Sequence, residues 1–292
     1  MKEATNRKNW LITVTLAFIV IALCTLLFNG LTEAVAKAEL KKTEAIPQSN
    51  EATSPVGDKN QVPPGYQRAN YQVKDDPLVT EHPTSKDLSK EEAAELGAQM
   101  IWQLFGVDLQ NATMYMGYSA GTETFPRAFW SGDIRFGASR TPQDPCYTFM
   151  VDAVTGERFE ASWGRTLPVK VSLDYDPDLA KNHQEYLDKA QKLASQYNIV
   201  HGAVQATTYN CQGYSNNDPD ITIDVLGVNG EKALLTFSRY DKQLTGVGYD
   251  PMQRIGQAAL DKLTDKIESN VNLKRQEETM NESPTLQVLF ES

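Results

Sequence analysis

Apolar residues alternate at Tyr147, Phe149 and Val151, stop at Thr155-Gly156, and resume at Phe159 and Ala161. No other feature constrains the fold as tightly. Strand side chains point alternately to opposite faces, so these residues share one face. The Thr-Gly pair supplies the reversal between the two runs. Pro145 to Ser162 is therefore read as a β-hairpin.

The residues before it complete a unit. Ser89 and Glu92 form a capping-box pattern. Ala93, Leu96, Gly97, Met100, Ile101, Leu104 and Phe105 then recur at helical spacing, and Gly106 ends the helix. Ala112 to Ser119 and Ala128 to Phe136 read as strands. The same order then recurs. Asp176-Pro177 starts a helix, with Asp as cap and Pro in the first turn. Its buried stripe is Leu179, Ala180, Tyr186, Leu187, Ala190, Leu193, Ala194 and Tyr197. Strand-like runs follow at Ala203 to Cys211, Ile221 to Val225, Ala233 to Phe237 and Leu244 to Tyr249. Asn229-Gly230 and Asp241-Lys242-Gln243 are the turns. The expected fold is α+β, with two tandem units of one helix on an antiparallel four-stranded sheet. They span residues 87–165 and 174–250, and their common order suggests an internal duplication. Met252, Ile255, Ala259, Leu263, Ile267 and Val271 give one more amphipathic helix, over 251–273. A tail follows at 274–292, where Leu286, Val288, Leu289 and Phe290 are candidates for an edge strand.

The N-terminal part differs in kind. Trp10 to Phe28 carries no charge and is long enough to span a bilayer. Lys2, Arg7 and Lys8 precede it, which favours a cytoplasmic N-terminus over 1–9 and a transmembrane helix over 10–30. Ala34-Val35-Ala36 leaves a cleaved signal peptide open, and Cys24 a lipoprotein. The length of the run favours the anchor. All three readings place the body outside the cytoplasm. Residues 31–86 contain six prolines from Pro47 to Pro83 and few apolar groups. They read as a disordered tether.

The chain of 292 residues has a net charge of -10, and the first 36 residues contribute +1. Such an acidic body lacks the clustered Lys and Arg that phosphate binding needs, so nucleic acid is not an expected partner. Outside the apolar run there are two cysteines, Cys146 and Cys211, with no metal-type spacing. A disulfide between them and two buried thiols both remain open.

The hairpin also carries a family resemblance. Val151-Asp152-Ala153-Val154-Thr155-Gly156-Glu157, within a match centred on Tyr147 to Phe159, resembles the closing hairpin of the PepSY domain. Ser89 to Ser162 would be one such unit. Asp176 to Tyr249 would be a second, with Asp241-Lys242-Gln243 in place of the Thr-Gly turn. PepSY-like domains occur in propeptides that inhibit secreted metallopeptidases. They also occur in anchored bacterial envelope proteins, including tandem-repeat proteins linked to spore-cortex and cell-wall hydrolases. The resemblance implies a non-enzymatic binder that regulates or positions an envelope peptidase or cell-wall hydrolase. The alternative is a structural or sensing module that binds cell-wall polymer or another anchored protein.

No catalytic, cofactor or metal residue is assigned. Gly117-Tyr118-Ser119-Ala120-Gly121 fits a nucleophile-elbow pattern, but that motif needs a helix directly after the serine, and Thr122 to Pro126 is turn-like. His82, His183 and His201 lack ligand spacing. Asn216, Asn217, Asp218 and Asp220 lack the calcium-loop pattern. Capping explains Asp174, Asp176 and Asp178. Phe125, Phe129, Trp130, Phe136 and Trp163, with Arg127, Arg135, Arg140, Arg158 and Arg165, form a candidate partner surface, because interfaces favour aromatics and Arg. A small sheet core needs the same aromatics.

Overall fold

The computed structural model describes residues 62–137 and 144–281. The apolar run Trp10 to Phe28, Arg140, and the tail from 282 lie outside them. No helix among the described residues is long and apolar enough to cross a membrane.

The elements in chain order are β1 (Gln72–Asp75), α1 (Lys90–Phe105), β2 (Ala112–Ser119), β3 (Phe129–Phe136), β4 (Cys146–Asp152) and β5 (Arg158–Gly164). Then come α2 (Pro177–Lys181), α3 (Gln184–Gln196), β6 (Val204–Ser215), β7 (Asp218–Gly227), β8 (Lys232–Ser238), β9 (Leu244–Gly248) and α4 (Asp250–Asn281). All nine strands belong to one mixed sheet in the order β1-β2-β3-β4-β5-β9-β8-β7-β6. The expected pair of separate units, each one helix on a four-stranded sheet, is therefore wrong. The strand that closes each half pairs with the other: Glu160 with Gly248, Ala161 with Val247, Ser162 with Gly246. Local turn signals define hairpins. They say nothing about two open edges more than eighty residues apart.

One row of side chains crosses this seam. Met116, Gly132, Phe149, Ala161, Val247, Leu235, Ile223 and Tyr209 are successive cross-strand partners. From Phe149 to Ile223 the row is buried throughout. Helix α1 covers one end and α3 the other, through contacts such as Tyr186 on Phe237. The periodic stripes in the sequence thus meet a shared sheet face.

The approach of α1 is set by Phe149. Its ring lies between Gly97 of α1 and Gly132 of β3. A Cβ added at Gly97 would lie 2.1 Å from the ring, and one at Gly132 would lie 2.2 Å from it. These glycines are there for space. The capping box at Ser89 and Glu92 is formed, and Gly106 ends α1 in the left-handed conformation.

Two further expectations change. Residues 62–86 are not a free tether. Tyr66 packs edge-on to Trp102, Tyr71 donates to Glu95, and β1 runs parallel to β2. Proline content masked this, because the anchoring side chains are few and lie far from their partners in sequence. The helix after Asp176 is also broken. Asp176 caps α2 through Asp178 N and Leu179 N, but Asn182 leaves helical geometry and α3 restarts at Gln184.

The opposite face of the sheet is more polar. Thr148 and Ser162 share a hydrogen bond, as do Thr222 and Thr236. Glu160 lies in the seam on this face, and Gln253 of α4 sits over its partner Gly248. Part of Glu160 remains accessible, yet burial pushes its carboxyl up to about 7, against a hydrogen bond from Ser162.

Replacing Gly97 with Ala forces the Phe149 ring out of its slot and destabilises the fold by about 1–3 kcal/mol. Chemical denaturation measures this, and Gly97→Ala combined with Phe149→Leu recovers part of the loss. Glu160 gives a pH effect of known sign. Its folded pKa lies above the unfolded value, so the folded state holds the proton more tightly. Stability therefore falls as pH rises from the usual carboxylate range through about 7. Glu160→Gln flattens that part of the melting-temperature profile.

Candidate interaction cleft

The structure separates the residues that the sequence offered for chemistry. Ser119 ends β2, and its Oγ accepts from Gly121 N at 3.3 Å. Gly121 has φ 93 and packs where a Cβ would meet the carbonyls of Phe125 and Arg127, so the motif is a hairpin turn. His183 bonds Ala180 O and stacks on Tyr209, in the other half of the sheet. His201 pairs with Glu231 at 2.8 Å. His82 lies in the segment before α1. Among the described residues no group of three or more His, Cys, Asp or Glu is placed to hold a metal.

The polar loops have structural work. Asp176 caps a helix, and Asp174 accepts from Ser172. Asn217 brackets Leu167, accepting from its N–H and donating to its carbonyl. Asp218 is buried and accepts from Arg165 and Ser238. Burial pushes the neighbouring Asp220 up to about 6. Cys146 donates to Asp133 from β4, while Cys211 is on β6. Five strand spacings, about 24 Å, separate these strands, too far for a disulfide.

The aromatic and arginine residues do not form one surface. Trp130 is core, with its indole N–H bonded to Leu88 O. Phe136, Trp163 and Phe105 of α1 each pack on Tyr147. Arg165 lies over Trp163 and Tyr240 and pairs with Asp218 and Asp241, each at 2.7 Å. It thereby clasps the end of β5 to the turns of the second half. Arg135 covers Tyr115, and Arg158 donates to Gln103. At the opposite end Phe125, Phe129 and Phe159 form a cluster capped by Arg127. Alternation along the strands sent neighbours in sequence to different faces and ends.

Beside this last cluster lies a cleft of about 470 Å³ at the joint of the two halves. The first half supplies Thr124, Pro126, Arg127 and Glu157, and the second supplies Glu231. Helix α4 forms the remaining wall. The rim charges are held in place. Arg127 donates to Asp152 and Glu157, and Arg254 pairs with Asp250. Burial would raise the Glu231 carboxyl, but hydrogen bonds from His201 and Asn229 hold it below its ordinary value.

The apolar part of the cleft is Ile255, Ala258 and Ala259 of α4. That stripe continues outward at four-residue spacing to Leu263 and Ile267, which are 42% and 52% exposed. The first turns of α4 pack on the body, against β5 and β8. The sequence showed this stripe clearly, and most such stripes end as core. It could not show Glu157 and Glu231 facing it, because the seam brings them together.

Chemically, the cleft offers an apolar strip between fixed charges of both signs. Arg127, Glu157, Glu231, Asp250 and Arg254 are held in pairs, and Lys262 of α4 adds a cation to the wall. The cleft suits the side of a helix or an extended peptide better than a reacting small molecule.

No family model matches the chain, and no curated relative does. One solved structure, the Bacillus megaterium YpeB C-terminal domain, is similar in part, at 13% identity and a TM-score of 0.35. The match covers 57% of this chain and 65% of that one, so this chain spans just under two thirds of that neighbour. A superposition this loose fixes neither fold nor function.

Proposed function

We propose that this protein is a non-enzymatic extracytoplasmic binding module. It holds a protein partner along the cleft and the exposed stripe of α4, and so regulates or positions a cell-envelope peptidase or cell-wall hydrolase. The observation that carries this reading is the continuity of the stripe. Ile255 and Ala259 lie in the cleft, and Leu263 and Ile267 extend the same row into solvent. Aliphatic residues aligned along a helix that leaves the body are poorly placed for solvent alone, since helix stability comes mainly from packing an apolar face. The apolar run at Trp10 to Phe28 supports a membrane-tethered placement, and the PepSY-like hairpin supports the choice of partner class. The paired charges at the rim give orientation and specificity more than affinity.

The test is capture from native membranes with the full chain as bait. An envelope hydrolase or peptidase is expected among the proteins crosslinked to α4. Leu263→Glu with Ile267→Glu should cut its recovery by about tenfold or more, since anchors of this size are worth upwards of 1 kcal/mol each. The thermal midpoint should barely move, because both side chains are exposed. Recovery that is unchanged by the double variant would refute the reading.

A further inference from the structure

Among the described residues, strand β6 (Val204–Ser215) stands last in the strand order, with β7 as its one neighbour in the sheet. Its outer backbone groups form a twelve-residue edge. Such an edge is a template for another strand, and soluble proteins blunt it with short length, charge, proline or a covering segment. The other edge of this sheet obeys that rule. β1 has four residues, and two of them are Lys74 and Asp75. β6 reads Val-Gln-Ala-Thr-Thr-Tyr-Asn-Cys-Gln-Gly-Tyr-Ser, without a charge or a proline. Two bulges, at Val204/Ala206 and Tyr209/Cys211, bend it without shortening it.

Aromatic groups flank one end. Tyr214 is 58% exposed, and Tyr175 is 63% exposed. Tyr175 belongs to a segment tied to β6 by two hydrogen bonds, Asp176 N to Gln212 and Gln212 to Asp176 O.

We infer that β6 pairs antiparallel with β6 of a second copy of this chain, continuing the nine-stranded sheet across a two-fold axis. Three observations favour a second copy as the occupant. An antiparallel pair of identical strands is self-complementary, so one surface serves both copies. Pairing along most of twelve residues exchanges about ten hydrogen bonds, the number a stable interface carries. Charge is the third. Copies of a chain with net charge -10 repel one another except where charge is absent, and β6 is such a place. The antiparallel sense also keeps the acidic segments apart. Asp174, Asp176 and Asp178 lie by the Gln212 end of β6 and would face the opposite end of the second copy's strand. Near that end lie Gly202, Ala203 and Val228, all uncharged, and the acid there, Glu231, is already held by His201. The fold already contains one joint of this kind, where β5 and β9 meet edge to edge.

The experiment is sedimentation equilibrium of the full chain in detergent micelles of matched density, with hydrogen exchange at low and high protein concentration. The expected protein mass is that of two chains, with β6 amides more protected at high concentration. Ala206→Lys with Thr208→Lys brings four like charges to the joint and should weaken dimerisation by about tenfold. Circular dichroism checks that the variant is folded. Gln257→Lys, on the exposed side of α4, should leave the mass unchanged. A monomer at every concentration overturns the inference. So does a dimer that survives the β6 double variant, or one dissolved by Leu263→Glu instead. The exchange measurement on the unaltered chain decides the matter if the double variant fails to fold.

Discussion

Three cross-strand pairs at the β5–β9 seam decide what this molecule is. Without them each half would present a raw strand edge next to its own buried face. With them, the row from Phe149 to Ile223 becomes one apolar surface, and α1 and α3 become two parts of one covering layer. The seam is reinforced at its ends. Trp163 donates to Leu244 O, Tyr249 N donates to Phe159 O, and Arg165 bonds two aspartates of the second half. Asp218 is almost fully buried, so its charge is tolerable only with Arg165 and Ser238 in place. The halves are therefore coupled by backbone pairing, by shared core and by a buried ion pair at once.

The cleft is a product of the same joint. Arg127 and Glu157 come from turns of the first half, Glu231 from a turn of the second, and α4 leaves the seam directly from β9. Most of the charged side chains around the cleft are committed to one another. The local arrangement around Asp152 shows the pattern. Its carboxylate accepts from Val154 N, Thr155 N and the Thr155 hydroxyl, and also pairs with Arg127.

Much of the local structure was legible in the sequence. The capping box at Ser89, the Gly106 stop, the Thr155-Gly156 hairpin and the alternating strands at Ile221 to Val225 all act within a few residues, where side-chain periodicity and turn chemistry decide the outcome. The errors share a physical origin. The seam joins residues whose pairing depends on two edges being open together. The packing of Tyr66 and Tyr71 on α1 uses isolated aromatics in a proline-rich stretch. The break at Asn182 falls between two residues that reach the sheet separately, Leu179 on the core and His183 on Tyr209, and such contacts do not show in a periodic stripe. The aromatic and arginine cluster failed because proximity in sequence does not fix which face a strand residue takes. The cleft was half legible. The α4 stripe stood out, and its facing wall did not.

The most direct test of this account is residue-resolved native-state hydrogen exchange at Ala161, Val247 and Tyr249, whose amides face the seam, compared with Phe149 and Ile223. If the halves form one cooperative body, the seam amides exchange with the same free energy of opening as the core amides on either side. Seam amides that open at markedly lower free energy, while both cores stay protected, would contradict it and return the molecule to two loosely joined units.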